Sequence, residues 1–214
     1  VSPNNPTGSI LTPAELSFLA DRCARHGVAL VVDEVFADYR HRGRTEGAVP
    51  VQDIHDASWS QQVLTFRLGG LSKSAGLPQV KLGWIAVDGP AAVVDEALDR
   101  LELVLDTYLS VSTPVQVAAP ELIARGAEVR AAIQERLDTN LHALSACAAA
   151  FPSVELLPTD AGWSAVLRVP ARRSEEELVL ELLDQHDTLV HPGFFFDFPH
   201  EAFLIVGLLA KPST

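Results

Sequence analysis

Apolar and polar positions follow two different periods in the first half of the chain. Apolar residues recur at helical spacing from Leu16 to Cys23, behind Thr12 and Pro13, which predicts a capped helix that ends at Gly27. A continuous apolar run follows at 28–32, and two further largely apolar runs stand at 63–66 and 82–87. Such runs are typical of strands that are covered on both faces, so the pattern predicts an α/β fold with a mostly parallel sheet.

Two polar or small-residue stretches separate these predicted strands. Residues 40–61 are polar and predict irregular structure, and the Gly/Ser-rich stretch 69–76 predicts a loop.

The second half of the chain is dominated by helical patterns. Residues 90–109, 112–125 and 127–151 predict three helices, the last of them rich in alanine. Beyond them, strands are predicted at 154–157, 163–169, 189–190 and 203–209, and one helix at 174–186. Ser174 and Glu177 fit a capping box at the start of that helix.

These elements divide the chain into three segments: 1–109 with the predicted sheet, connecting helices at 110–150, and a small α+β domain at 151–214.

Composition excludes several classes of partner. The 16 basic and 28 acidic side chains give a net charge of −12, which argues against nucleic acid or an anionic membrane as the main partner. No apolar run approaches the roughly 18 residues that cross a bilayer. Cys23 and Cys147 lack metal-ligand spacing, so we expect no metal site and two mostly buried free thiols. The chain starts at Val1 and contains no methionine, so we expect a fragment of a longer protein.

Three motifs stand in a fixed order along the chain. They are Asn-Asn-Pro-Thr-Gly at 4–8, Val-Val-Asp-Glu-Val-Phe-Ala-Asp-Tyr at 31–39, and Gly-Leu-Ser-Lys-Ser-Ala-Gly-Leu-Pro at 70–78, followed by Lys-Leu-Gly-Trp at 81–84. Together they resemble the class I and II aminotransferases, which are pyridoxal-phosphate enzymes of fold-type I. The resemblance extends over nearly the whole chain, to His191-Pro192-Gly193 and the last strand. It implies the C-terminal portion of such an enzyme, in which residues 1–109 are the C-terminal half of the domain that binds pyridoxal phosphate and residues 151–214 are the small C-terminal domain.

The resemblance assigns the reaction chemistry to Lys73 and Asp33. In the family, the lysine at the position of Lys73 forms a Schiff base with pyridoxal 5'-phosphate and then moves a proton from the substrate Cα. The family's aspartate at the position of Asp33 keeps the pyridine nitrogen protonated. Independently of the resemblance, Asp33 ends an apolar strand at the sheet edge where α/β ligands bind. A strand that ends in Asp-Glu also fits an ATPase, but the only Lys-Ser pair, Lys73-Ser74, follows this strand and lacks the glycine that precedes the lysine of a P-loop.

The resemblance also assigns residues that bind the cofactor. The amide of Asn5 is expected to reach the phenolate oxygen, and the hydroxyl of Ser72 to contribute to the site. Phe36 stands where the family often has a tyrosine, which removes one hydrogen-bond donor. Lys81 stands where the family usually has a phosphate-binding arginine, and Gly70 where it often has a phosphate-binding serine.

One departure concerns the substrate. Many family members carry an arginine in the last strand that binds the substrate α-carboxylate, and our alignment places Ile205 there. His191 and Lys211 are weak substitutes. Phe194, Phe195, Phe196 and Phe198 are candidates for lining a pocket or for core packing. The sequence does not name the amino donor or acceptor.

The resemblance therefore implies an aminotransferase that moves an amino group between an amino acid and a 2-oxo acid. It also implies a cytoplasmic homodimer with no nucleic-acid or membrane partner. Two alternatives stay open: another enzyme with the same cofactor (a C–S lyase or a decarboxylase), and a non-catalytic regulatory domain with an aminotransferase-like fold.

Overall fold

The computed structural model describes residues 1–42 and 61–211, which fall into two compact units. Residues 1–3, 10–38 and 61–131 form the first unit, and residues 4–9, 39–42 and 132–211 form the second. Most of the predicted irregular stretch 40–61 lies outside the described residues. The predicted segment boundaries at 109 and 150 stay a prediction.

The first helix of the first unit, α1 (Pro13–His26), begins and ends where the sequence predicts. The Thr12 side chain accepts the backbone N–H of Glu15 while the Glu15 side chain accepts that of Thr12, which completes a capping box. Gly27 ends the helix in the left-handed conformation at φ 61°. Leu16 and Ala20 are buried and form the core cluster of this region with Val63.

The sheet of the first unit has the order β1-β2-β3, with β1 (Leu30–Asp33), β2 (Thr65–Gly70) and β3 (Gly83–Asp88). β1 and β2 are parallel, whereas β2 and β3 are antiparallel. The predicted burial of these strands on both faces is wrong for this chain, because Val31 is 58% exposed. One face of the sheet is therefore open among the described residues.

The predicted loop 69–76 is a strand end followed by one helical turn. Gly69 and Gly70 pair with Trp84 and Gly83 within the β2–β3 ladder. α2 (Leu71–Ser74) follows directly, and Pro78–Val80 forms a 3₁₀ turn. A side chain at position 69 would collide with the Trp84 indole, 2.4 Å from its Nε1 atom, so glycine here permits the close packing of a strand.

Two helices follow where the sequence predicts three. After α3 (Ala91–Asp106), the two helices predicted at 112–125 and 127–151 are one continuous helix, α4 (Thr113–Ala149). An interior glycine costs a helix only about 1 kcal/mol. Gly126 is buried against Ala75, so it serves as a packing residue within the helix.

The second unit contains an antiparallel sheet and one further helix. The sheet order is β4-β5-β7-β6, with β4 (Glu155–Leu156), β5 (Ser164–Arg168), β6 (His191–Pro192) and β7 (Phe203–Gly207). α5 (Glu175–His186) begins with the predicted Ser174 and Glu177 capping box. The strand predicted at 189–190 is wrong: the backbone pairing starts at His191, opposite Ile205, and Leu189 is exposed.

One core cluster of the second unit lies on one face of that sheet, and Ala165 and Leu204 are buried on the other face. Val166, Phe203 and Ile205 form a buried cluster, against which Leu157, Phe196 and Phe198 pack. The buried Glu175 carboxylate accepts the backbone N–H groups of Phe194 (3.0 Å) and Phe203 (2.7 Å). This carboxylate fixes the segment before β7 to the start of α5.

Three further observations concern the described residues. No helix among them is long and apolar enough to cross a membrane. Within the same ranges, no group of three His, Cys, Asp or Glu side chains fits a metal ion. Both cysteines are free thiols, but Cys147 is exposed, so the expected burial is wrong for that residue.

Candidate active site

The parallel pair β1 and β2 brings the main candidate residues to one edge of the sheet. Asp33 pairs with Leu68 in register, so both strands run in the same direction toward this edge. Phe36 follows β1 and Lys73 follows β2. The Lys73 Nζ atom lies 5.5 Å from the centroid of the Phe36 ring, within the range of a cation–π contact. The fold therefore places Lys73 beside Phe36, which follows Asp33 by three residues.

Asp33 is held at the point where the chain leaves β1. Its carboxylate Oδ1 accepts the backbone N–H of Val35 at 3.1 Å. Its backbone carbonyl accepts the N–H of Ser2 at 2.9 Å, and the next N–H, that of Glu34, donates to the Leu68 carbonyl at 3.0 Å. The half-buried carboxylate thus has its position fixed by the backbone on both sides.

Lys73 lies in α2, whose single turn is fixed from three directions. The N–H of Leu71 donates to the Leu82 carbonyl (3.0 Å), which fixes the turn to the residue directly before β3. The Ser74 hydroxyl donates to the Gly70 carbonyl (2.9 Å). The Ser74 carbonyl accepts the Nη1 group of Arg130 from α4 (2.8 Å). The lysine is half-buried in this turn.

An ion cluster that the sequence analysis missed lies on the other face of the sheet. Arg67 pairs in register with Val32 and Ala86, whereas Asp33 pairs with Leu68. Because successive side chains of a strand point to opposite faces, Arg67 lies on the face opposite to Asp33. Its Nε atom lies 3.0 Å from Asp88 Oδ2, and its Nη1 atom lies 3.7 Å from Glu34 Oε2. A charged residue inside the run Thr-Phe-Arg-Leu at 65–68 was the available signal, because a buried arginine needs acidic partners.

The Glu34 carboxyl is electrostatically perturbed. Burial raises the pKa of Glu34 above its ordinary value, and the negative charges of Asp88 and Asp33 raise that pKa further. The Arg67 guanidinium opposes this shift. This carboxyl therefore holds a proton more readily than an exposed glutamate does.

Ser72 and Lys81 also belong to the first unit. Ser72 is the neighbour of Lys73 in α2 and is half-buried. Lys81 is exposed and ends the 3₁₀ turn Pro78–Val80 in the left-handed conformation, at φ 56°.

Asn5 belongs to the second unit, in a loop that is fixed to residues 159–161. The Gly8 carbonyl accepts the backbone N–H groups of Asp160 (3.2 Å) and Ala161 (3.0 Å). The Gly8 N–H donates to the Asn4 carbonyl (2.8 Å), which closes the loop on itself. The Asn5 side chain is exposed at the tip of this loop.

Ile205 is buried among apolar side chains, with 1% of its surface exposed. Of the aromatic candidates, Phe196 and Phe198 pack on the same core cluster, whereas Phe194 and Phe195 are exposed. His191 pairs in register with Ile205 and contacts the rings of Phe195 and Phe196. The two partly buried phenylalanines, Phe196 and Phe198, thus pack against the core.

Comparison with known proteins identifies the family. The family model described as aminotransferase class I and II matches residues 1–210. The chain belongs to this family. The predicted resemblance is thereby confirmed.

Individual relatives cover the chain almost completely. Capreomycidine synthase of Streptomyces vinaceus is 31% identical over 197 residues, which are 91% of this chain and 46% of that protein. The arginine–pyruvate transaminase AruH of Pseudomonas aeruginosa is 28% identical over 203 residues, which are 91% of this chain and 47% of that protein. The chain therefore spans about half the length of these relatives.

A solved structure gives the same fold. A PLP-dependent aminotransferase from Streptococcus suis superposes with a TM-score of 0.74 at 23% identity, over 98% of this chain and 51% of that one. The prediction of a partial fold-type I α/β chain is confirmed. Pyridoxal 5'-phosphate is the cofactor that the family indicates.

Proposed function

We propose that the whole protein is a pyridoxal-phosphate-dependent aminotransferase that moves an amino group between an amino acid and a 2-oxo acid. The observation that carries this proposal is the position of Lys73, whose amine lies over the Phe36 ring at the edge where Asp33 ends β1. The family match over residues 1–210 supports it.

The side chains present have the chemistry that the cofactor needs. Lys73 offers a primary amine for its aldehyde, and Asp33 offers a carboxylate for its ring nitrogen. Phe36 offers an apolar ring beside the amine. We infer that Ser72 and Lys81 bind the phosphate, the latter as a point charge without the paired donors of an arginine. We also infer that Asn5 donates its amide to the phenolate oxygen.

In this proposal the cofactor, when bound, supplies an electron sink for the negative charge left on the substrate α-carbon. Lys73 does the proton transfer: its Nζ accepts the proton from the substrate Cα and returns it at the end of the half-reaction. Asp33 keeps a negative charge beside the ring nitrogen, and the N–H of Val35 fixes the direction of that carboxylate. The turn of α2 fixes the backbone position from which the Lys73 side chain reaches the site.

Transamination is favoured over the alternatives that the sequence left open. The family model and the transaminase name of the Pseudomonas relative support it against a C–S lyase, a decarboxylase or a regulatory domain. We further propose a cytoplasmic homodimer, and a division into a large-domain part at 1–109, connecting helices at 110–150 and a small domain at 151–214. The amino donor and acceptor stay open.

Product analysis on the whole protein tests the reaction. With an amino acid and a 2-oxo acid, we expect the amino group to be exchanged without release of ammonia or carbon dioxide. Lys73→Ala should lower turnover by about 10²- to 10⁴-fold, since a positioned acid–base group contributes that much. Arg125→Met changes an exposed residue that pairs with Glu121 on its own helix, and it should leave turnover unchanged. Ammonia with pyruvate, or carbon dioxide, as the main product would contradict transamination.

A further inference from the structure

The helical turn that carries Lys73 is too short to hold its own geometry. α2 has four residues, and the last carbonyls of any helix lack partners within it. One of them, the Ser74 carbonyl directly after Lys73, accepts the Nη1 group of Arg130 at 2.8 Å. A guanidinium donor makes this hydrogen bond stronger than a bond between neutral groups. The carbonyl next to the lysine is thus held from outside its own element.

The surface of α4 is shaped for this contact. Gly126 lies one turn before Arg130 on the same side of the helix, and it is buried. A Cβ atom on Gly126 would come within 3.0 Å of the Ala75 Cβ, 3.2 Å of the Arg130 Nη1 and 3.4 Å of the Ser74 carbonyl oxygen. The absence of a side chain at position 126 therefore lets the guanidinium and the lysine turn meet.

Arg125, a second arginine on α4, is an ordinary surface residue and serves as a comparison for Arg130. Arg125 pairs with Glu121 one turn earlier on its own helix at 2.7 Å, and its side chain is 78% exposed. Arg130, by contrast, is half-buried and reaches a backbone carbonyl 56 residues away in the sequence. The two arginines thus form a matched pair for substitution.

We propose that Arg130 is a positioning residue for Lys73: it holds the Ser74 carbonyl, and with it the α2 turn, so that the lysine amine stays over the Phe36 ring. The proposal rests on the proposed function, in which Lys73 binds the cofactor. The contribution of Arg130 passes through the backbone of Ser74, and Gly126 provides the room for it.

The test uses the whole protein with Arg130→Met, Arg130→Lys and Arg125→Met. The first readout is the rate at which trinitrobenzenesulfonate labels Lys73 in cofactor-free protein, relative to the exposed Lys81 of the same molecule. We expect Arg130→Met to raise the Lys73 to Lys81 ratio by about tenfold, the effect that one hydrogen bond to a charged group has on an opening equilibrium. Arg130→Lys keeps a cationic donor and should restore much of the difference, while Arg125→Met should match the wild type.

The second readout is the visible circular dichroism of the bound cofactor, which reports the geometry of its attachment. We expect a weaker band in Arg130→Met and a near-normal band in Arg130→Lys. Gly126→Ala improves helix propensity but pushes on the same contact, so it should change both readouts in the same direction without weakening α4. It also serves as the decisive variant if Arg130→Met does not fold.

The outcomes separate this proposal from the proposed function. A wild-type protein that carries its cofactor on Lys73, with labelling ratio and dichroism unchanged in both Arg130→Met and Gly126→Ala, would overturn the role of Arg130 alone. The role is also overturned if Arg125→Met changes the readouts as much as Arg130→Met does. A wild-type protein that carries no cofactor on Lys73 would instead overturn the proposed function, and this inference with it.

Discussion

Gly8 closes the loop that presents Asn5, and its backbone conformation explains why no larger residue fits. The residue has φ +70°, where glycine has no steric penalty and other residues pay one. An added Cβ atom would lie 2.0 Å from the Thr159 hydroxyl oxygen and 2.2 Å from the Ala161 carbonyl oxygen. Both the conformation and the space at this position therefore exclude a side chain.

We expect Gly8→Ala to lower the free energy of unfolding by about 3 kcal/mol, of which about 1 comes from the left-handed backbone and the rest from the collision. The control is Gly27→Ala, because Gly27 has a similar φ of +61° and no atom within 4 Å of the added Cβ. It should cost only about 1 kcal/mol. Urea unfolding measures both, and equal losses would contradict the packing of loop 4–9 against residues 159–161.

At the scale of elements, Arg67 links all three strands of the first sheet. It lies on β2, bonds to Asp88 at the end of β3, and contacts Glu34 just after β1. The Arg67 side chain is only 9% exposed, so removing one partner leaves a buried charge uncompensated. The cluster holds together the strand ends that precede Phe36 and Lys73.

The raised pKa of Glu34 makes a pH prediction with a definite sign. A folded-state pKa above the unfolded value means that the native protein takes up the proton first as pH falls. Glu34 therefore contributes least to the free energy of unfolding when the pH is above its folded-state pKa. This contribution increases as the pH falls from the folded-state pKa toward the unfolded-state pKa. We expect the difference in unfolding free energy, wild type minus Glu34→Gln, to grow between about pH 7 and about pH 4.

Arg67 provides the internal check on that difference. The guanidinium opposes the upward shift of the Glu34 pKa, so that shift should be larger in the Arg67→Met background. We therefore expect the difference in unfolding free energy between Arg67→Met and Arg67→Met/Glu34→Gln to change more with pH than the difference between wild type and Glu34→Gln. A difference that stays constant with pH in both backgrounds, or that shrinks as pH falls, would show that Glu34 is not perturbed by burial.

Local signals predicted the elements whose ends are fixed by local chemistry. Both capping boxes, Thr12 with Glu15 and Ser174 with Glu177, stand where helices begin. The errors come from residues whose role is set by distant contacts. Gly126 looked like a helix end because its partner Ala75 is remote in sequence, and Leu189 looked like a strand residue although the pairing with β7 begins at His191.

At the scale of the whole molecule, the order of the three motifs was the strongest signal for the family. No single motif carries the proximity of Lys73 and Phe36, which depends on the parallel pairing of β1 with β2. The partners of Arg130 and Arg67 could not be predicted, because they lie 56 and 21 or more residues away, and spacing along the chain does not encode such contacts. The site residues given by the resemblance stay predictions until they are tested.

The central claim is that Lys73 is the residue to which the cofactor binds. The most direct test incubates the whole protein with pyridoxal 5'-phosphate, reduces it with borohydride and maps the adduct by peptide mass. Within residues 1–214, the three lysines, Lys73, Lys81 and Lys211, can be told apart by the peptides that carry them. We expect one stoichiometric adduct on Lys73 that disappears in Lys73→Ala. An adduct spread over all three lysines, or one that survives in Lys73→Ala, would contradict it.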